Sequence, residues 1–165
     1  MSGEGSAERI TVYTVGHSNR ELGEFLRLLR DYSIKVVVDV RRFPTSRRFP
    51  HFNREALAEA LAREGISYVW LGDLLGGFRK GGYERYMETT DFEKGLARLL
   101  EVLRREKGVA IMCRERLWFK CHRRFIADKL VEMGYVVIHI IDLGRTYRHK
   151  GRAREHSAER RETEA

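Results

Sequence analysis

An α/β fold, a mainly parallel sheet of about five strands with helices on both faces, follows from three observations. Short β-branched and apolar runs alternate with helical periodicities in the order β-α-β-α-β-α-β-α-β. The run VVVDV at 36–40 is apolar on successive residues, as in a strand buried on both faces of a parallel sheet. The segments expected to be helical close at Gly65 and Gly134 before a new strand begins.

Ser2 to Arg9 reads as a flexible leader, and Ile10 to Val15 as the first strand, ended by the turn residues Gly16 to Arg20. Leu22, Phe25, Leu26, Leu28 and Leu29 recur at helical spacing, with Glu21 and Glu24 in the first turn. Lys35 to Val40 is the second strand. The loop Arg41 to Phe52 carries both prolines and four arginines. A helix from Asn53 to Glu64, capped by Asn53, leads into a third strand, Ile66 to Leu71. The Gly-rich loop Gly72 to Gly82 precedes a short turn at Tyr83 to Met87 and a helix from Asp91 to Lys107. Val109 to Cys113 is the fourth strand, Cys121 to Met133 a helix, and Tyr135 to Ile141 the last strand. The expected organisation is one domain over 10–144 and a charged, solvated or partly helical tail over 145–165.

Composition bounds the function. The net charge of +8 favours anionic partners, either small phosphorylated molecules or nucleic acid. No apolar run reaches the length of a membrane span and the first residues lack a signal-peptide core, so a cytoplasmic location is expected. Glutamine is absent and 34% of residues are charged, a composition suited to a thermophile. Walker A, G-x-G-x-x-G and H-E-x-x-H patterns are absent, which removes the usual nucleotide-hydrolase, dinucleotide and zincin readings.

In such a sheet, ligands bind outside the carboxyl ends of the strands. Those ends bring His17 and Ser18, Asp39 and Arg41, and Cys113 and Glu115 to one rim, with Arg47 in the following basic loop. Cys121, His122 and Arg123 open a helix, whose N-terminus favours anions and thiolates. Cys113, Cys121, Glu115 and His17 are the residues expected to carry catalysis. Ser18, Asp39, Arg41, Arg47, His122 and Arg123 are expected to bind substrate or anion. Each has a plainer role open to it: a turn for His17, an ion pair with Arg41 or Arg123 for Asp39, an arginine partner for Glu115. The cysteines admit a nucleophilic or redox pair with Cys113 foremost, a Cys113–Cys121 disulfide, metal ligation with His122 and His17, or inert packing. The spacing C-x7-C-H is not a usual zinc pattern, and no metal or other cofactor is expected. An Arg six positions beyond Cys113 would mark a phosphatase or rhodanese loop, and Phe119 stands there.

The ordered motifs T-V-G-H-S-N-R at 14–20, D-V-R at 39–41, P-T-S-R at 44–47, F-N at 52–53, L-G-G at 75–77, C-R-E at 113–115 and C-H-R at 121–123 resemble domain of unknown function family 488. The resemblance runs from about Ile10 to Asp142 and implies an α/β fold with a signature on the rim just described. It implies no reaction. Residues 116–120, RLWFK, depart from the polar stretch usual in similar proteins. This aromatic loop suits a homodimer contact or stacking on a base. The function expected is an enzyme acting through a cysteine on a phosphate-bearing or nucleic-acid-derived substrate. The alternative is a non-catalytic nucleic-acid-binding module.

Overall fold

A computed structural model describes residues 9–151. Five parallel strands, β1 (Thr11–Gly16), β2 (Val36–Asp39), β3 (Ser67–Trp70), β4 (Val109–Cys113) and β5 (Val136–Asp142), form a sheet with an antiparallel edge strand, β6 (Arg145–Arg148). The order is β3-β2-β4-β1-β5-β6. The sixth strand corrects the expected tail: Arg145, Tyr147 and their neighbours carry no apolar run, yet their backbone pairs with β5. An edge strand half open to solvent needs only one apolar face, so its sequence signal is weak. The rest of the expected tail lies outside the described residues.

The six α-helices among the described residues are α1 (Leu22–Asp31), α2 (Arg54–Arg63), α3 (Gly72–Leu75), α4 (Tyr83–Tyr86), α5 (Thr90–Arg105) and α6 (Arg123–Glu132). Helix α1 sets Phe25, Leu28 and Leu29, and α2 sets Leu57 and Leu61, against Val37, Ala110, Met112 and Ile140 on one face of the sheet. On the other face α5 and α6 pack Leu96, Leu99, Leu103, Ile126 and Leu130 against Val36, Val38, Ile111 and Val137. Strands β2 and β4 are buried along their whole length, which explains their unbroken apolar runs. Burying one Leu or Ile side chain contributes roughly 1.5–3 kcal/mol, so these two layers supply most of the driving force. Gly65 and Gly134, with φ of 75° and 97°, end α2 and α6 in the left-handed conformation expected of them. Asn53 stands before α2 but caps nothing with its side chain; its Oδ1 instead accepts the Ser46 N–H at 2.5 Å and braces the 41–52 loop. Among the described residues, no helix is long and apolar enough to cross a membrane.

The topology selects the place for a site. Strands β1 and β2 send their connections over the α1/α2 face, whereas β3 and β4 send theirs over the α5/α6 face. Strand β4 is therefore flanked on both sides by strands whose chains leave toward the opposite layer, which opens a crevice at its carboxyl end. Gly16 pairs in register with Cys113, and the Val40 N–H bonds Met112, so three strand exits lie level there.

Candidate functional site

Residues 17–18 are bound to the β4 exit by two backbone bonds, His17 N–H to Cys113 O and Ser18 N–H to Arg114 O, both 2.9 Å. The approach requires Gly16. A Cβ there would sit 1.8 Å from the Glu115 carbonyl oxygen.

Against this junction lies a cavity of about 610 Å³, a volume suited to a small molecule. Its lining includes His17, Arg41, Cys113 and Glu115, expected on the rim, and Cys121 and His122, expected at the helix entrance, together with Arg42, Arg114 and Lys120. A neighbouring cavity of about 390 Å³ shares His17, Arg114, Glu115 and Lys120 and adds Ser18, Arg48 and Arg116. Glu115, its side chain exposed, is the single carboxylate on either lining among the described residues. Three expected residues stand elsewhere. Arg47 is exposed and lines neither cavity. Asp39 and Arg123, 0% and 1% exposed, lie behind the wall.

Asp39 is a positioning residue. Its Oδ1 accepts the Arg41 backbone N–H and Nε–H at 3.0 and 2.9 Å. Its Oδ2 accepts from Arg41 Nη2 at 2.7 Å and from the Tyr68 hydroxyl at 2.5 Å. Burial, and then the Asp39 charge, push the Tyr68 hydroxyl above its ordinary range, so it stays a donor. Arg41 is left with one guanidinium nitrogen, Nη1, 3.3 Å from His17 Nε2.

His17 donates Nδ1–H to the Ser18 carbonyl at 2.9 Å, leaving Nε2 as the acceptor facing Arg41, and stacks on Phe52 at 4.4 Å. Burial, and then Arg41, lower its pKa to about 4. His139 is lowered to about 2, again chiefly by burial. Both imidazoles are neutral in the fold and protonated in the unfolded chain below about pH 6.5. The unfolded state then binds more protons, so stability falls as pH drops from 6.5 toward 4. His17 alone contributes about 3 kcal/mol to that loss. Urea melts at pH 7 and pH 5 should show the midpoint falling; equal midpoints would contradict buried neutral histidines.

The sulfur chemistry is unequal. Cys113 and Cys121 are free thiols with sulfurs 2.8 Å apart. Cys113, 1% exposed, shares a hydrogen bond with Cys121; burial, and then this bond, push its pKa well up. Cys121 is pulled well below the ordinary thiol range, first by its hydrogen bond with Cys113 and then, against the cost of its own burial, by His122 and Arg123. His122 Nε2–H donates to Val40 O at 3.2 Å, which leaves Nδ1, 3.4 Å from Cys121 Sγ, to take the thiol proton. The first-turn N–H of Arg123 also points to Cys121 Sγ at 3.5 Å. The more acidic sulfur is thus Cys121, at the helix entrance. Among the described residues, no group of three or more His, Cys, Asp and Glu is disposed to hold a metal ion.

Arg123 supports this arrangement from below. It donates to Thr14 Oγ1 at 3.0 Å and to the carbonyls of Glu115 and Arg116 at 2.7 and 3.3 Å, while its buried Nε has no partner among the described residues. A chain of contacts runs on from Thr14 to His139, His149 and Asp128, at 2.6, 3.0 and 2.6 Å. Trp118 stacks flat on His139, 4.6 Å between ring centres, and on Tyr147 at 5.4 Å. Its ring is therefore engaged within its own chain. Phe119, 49% exposed, is the aromatic of that loop left open to a second molecule.

Several participants carried no signal of their own. Tyr68, which donates to Asp39, and Tyr83, on the cavity wall, stand in a strand and a short helical turn where an aromatic residue carries no mark of a site. Thr14 and His139 were legible in principle, as polar residues inside apolar strands, and they pair in register. Phe43 and Phe78, 62% and 82% exposed on the cavity wall, sat in loops without periodicity.

Fold and site together define an α/β protein with a cysteine–histidine pair in a cationic crevice at the carboxyl edge of its sheet. The chain belongs to the family described as domain of unknown function DUF488, whose model matches residues 21–130. Cys113, Cys121, His122, Asp39 and Arg41 fall inside that span; His17 and Ser18 precede it. No curated protein and no solved structure matches the chain.

Proposed function

We propose that the protein is an enzyme that attacks a phosphate-bearing substrate with the Cys121 thiolate. The observation behind this reading is the placement of Cys121 beside His122 on the wall of a crevice that also presents Arg41, Arg42, Arg114 and Lys120. These cations hold the phosphate oxygens and neutralise charge that builds up in transfer. His122 takes the thiol proton. The sulfur attacks phosphorus, the S–P bond forms as the P–O bond to the leaving group breaks, and the carboxyl of Glu115 gives the departing oxygen a proton. Water then attacks the phosphocysteine with Glu115 as base, releasing phosphate and restoring the thiol. Two thiols in contact suit the reducing interior of a cell.

The test is a panel of phosphate monoesters, mononucleotides included, assayed for phosphate release by reduced protein. Turnover is expected, with loss of at least about a hundredfold on Cys121→Ser and a phosphocysteine seen by acid quench and mass spectrometry. Turnover unchanged in the variant would overturn the nucleophile.

The continuation of positive charge along Arg48, Arg114 and Lys120 favours a second reading, a surface that binds single-stranded nucleic acid without reaction. In that case binding weakens steeply with salt and survives Cys121→Ser. No binding at low salt would remove it.

A further inference from the structure

The chain has two cysteines, and the fold puts them in direct contact from sites 8 residues apart. Cys113 ends a fully buried strand and is 1% exposed, whereas Cys121, partly accessible, stands at the entrance to α6. A solute entering the cavity through its open side meets the more accessible sulfur, and the second sulfur waits behind it at 2.8 Å. Bringing such sulfurs to bonding distance needs a shift of under about 1 Å. Beneath them Arg123 is a buried cation whose bonds go to neutral acceptors and whose Nε has none among the described residues. Its charge favours the anionic form of both sulfurs.

We propose that the pair is a dithiol–disulfide couple that reduces hydroperoxides, Cys121 taking the oxygen and Cys113 resolving it. The Cys121 thiolate attacks the terminal oxygen of the hydroperoxide. An S–O bond forms, the O–O bond breaks, and the remaining alkoxide or hydroxide leaves as alcohol or water after taking a proton. Cys121 is then a sulfenic acid. Cys113 attacks the Cys121 sulfur; the S–S bond forms, the S–O bond breaks, and the departing hydroxide leaves as water with the Cys113 proton. The hydroperoxide has gained two electrons and the two thiols have lost them. A dithiol reductant from solution restores the pair by exchange and is itself oxidised to a disulfide. This activity does not depend on phosphoryl transfer, but it uses the same sulfur, so the oxidised protein has no nucleophile.

The experiment treats the intact reduced protein with hydrogen peroxide, followed by intact-mass measurement, thiol titration and peptide mapping. The expected product is a monomer lighter by two hydrogens, with loss of both thiols, a Cys113–Cys121 cross-linked peptide, and full recovery of the titre with dithiothreitol. Cys113→Ser should instead hold a sulfenic acid on Cys121 that dimedone captures. The wild-type peptide map decides the matter even if that variant does not fold. Oxidation of Cys121 to the sulfinic acid while Cys113 still titrates, a cross-link between chains, or no reaction would each overturn the proposal. The phosphate-release assay, run in excess reductant, reads the other activity independently: either can fail while the other stands.

Discussion

Asp39→Ala should destabilise the protein by about 3 to 5 kcal/mol, because it leaves the Arg41 guanidinium buried without its counter-charge. The carboxylate is fully buried and takes four groups at once: two donors and the backbone N–H of Arg41, and the Tyr68 hydroxyl. Removing it strips bonds from both partners and opens a void at the end of β2. For a chain of this size the melting temperature should fall on the order of 10 °C. Asp39→Asn keeps the volume and some acceptor capacity, so it should cost less, and Tyr68→Phe least, since that change removes both a donor and the need for it. The variant should also lose the grip of Arg41 on His17. Thermal or urea melts check the ranking; a stability for Asp39→Ala within about 0.5 kcal/mol of wild type would mean that Asp39 is not the anchor of this wall.

The layers of this fold were legible because each face is made of long, consistent apolar patterns. Val36 to Val38 and Val109 to Met112 are apolar on consecutive residues and are buried on both sides; the helices from Leu22 and Thr90 carry one apolar stripe each. Strand β6 was not legible, because Arg145 to Arg148 is stabilised by backbone pairing at an edge, and backbone bonds leave no mark in a side-chain pattern. For the same reason Asn53 read as a helix cap: the residue type and position suit the role, and only the course of the loop decides that its amide braces Ser46 instead.

The site was half legible. Topology alone assembles strand ends, so His17, Arg41, Cys113 and Glu115 could be placed on one rim. Direction could not be read. Whether Asp39 faces the crevice or turns back to hold Arg41, and whether Arg123 reaches an anion or the carbonyls of Glu115 and Arg116, depends on rotamers within a packed wall. The ordering of the two thiols likewise rests on contacts between residues distant in sequence. Val40 fixes the proton of His122, Thr14 and two loop carbonyls hold Arg123, and Cys113 and Cys121 share a hydrogen bond.

The rate of alkylation of Cys121 by iodoacetamide, followed by peptide mass analysis from pH 3 to pH 9, tests the central claim that this sulfur is the site's thiolate. The thiolate is the reacting species, so the rate rises with its fraction and levels off above the pKa. A strongly acidic thiol is also an intrinsically weaker nucleophile, with a Brønsted slope of about 0.4 to 0.5. The position of the inflection is therefore decisive, and the absolute rate is not. With Cys113 Sγ, His122 Nδ1 and the Arg123 N–H all against its sulfur, Cys121 should show its inflection well below the ordinary thiol range. His122→Ala should move that inflection upward, while Cys113 stays unreactive throughout the range. An inflection near the ordinary thiol value of about 8.5, or Cys113 alkylated before Cys121, would contradict the account.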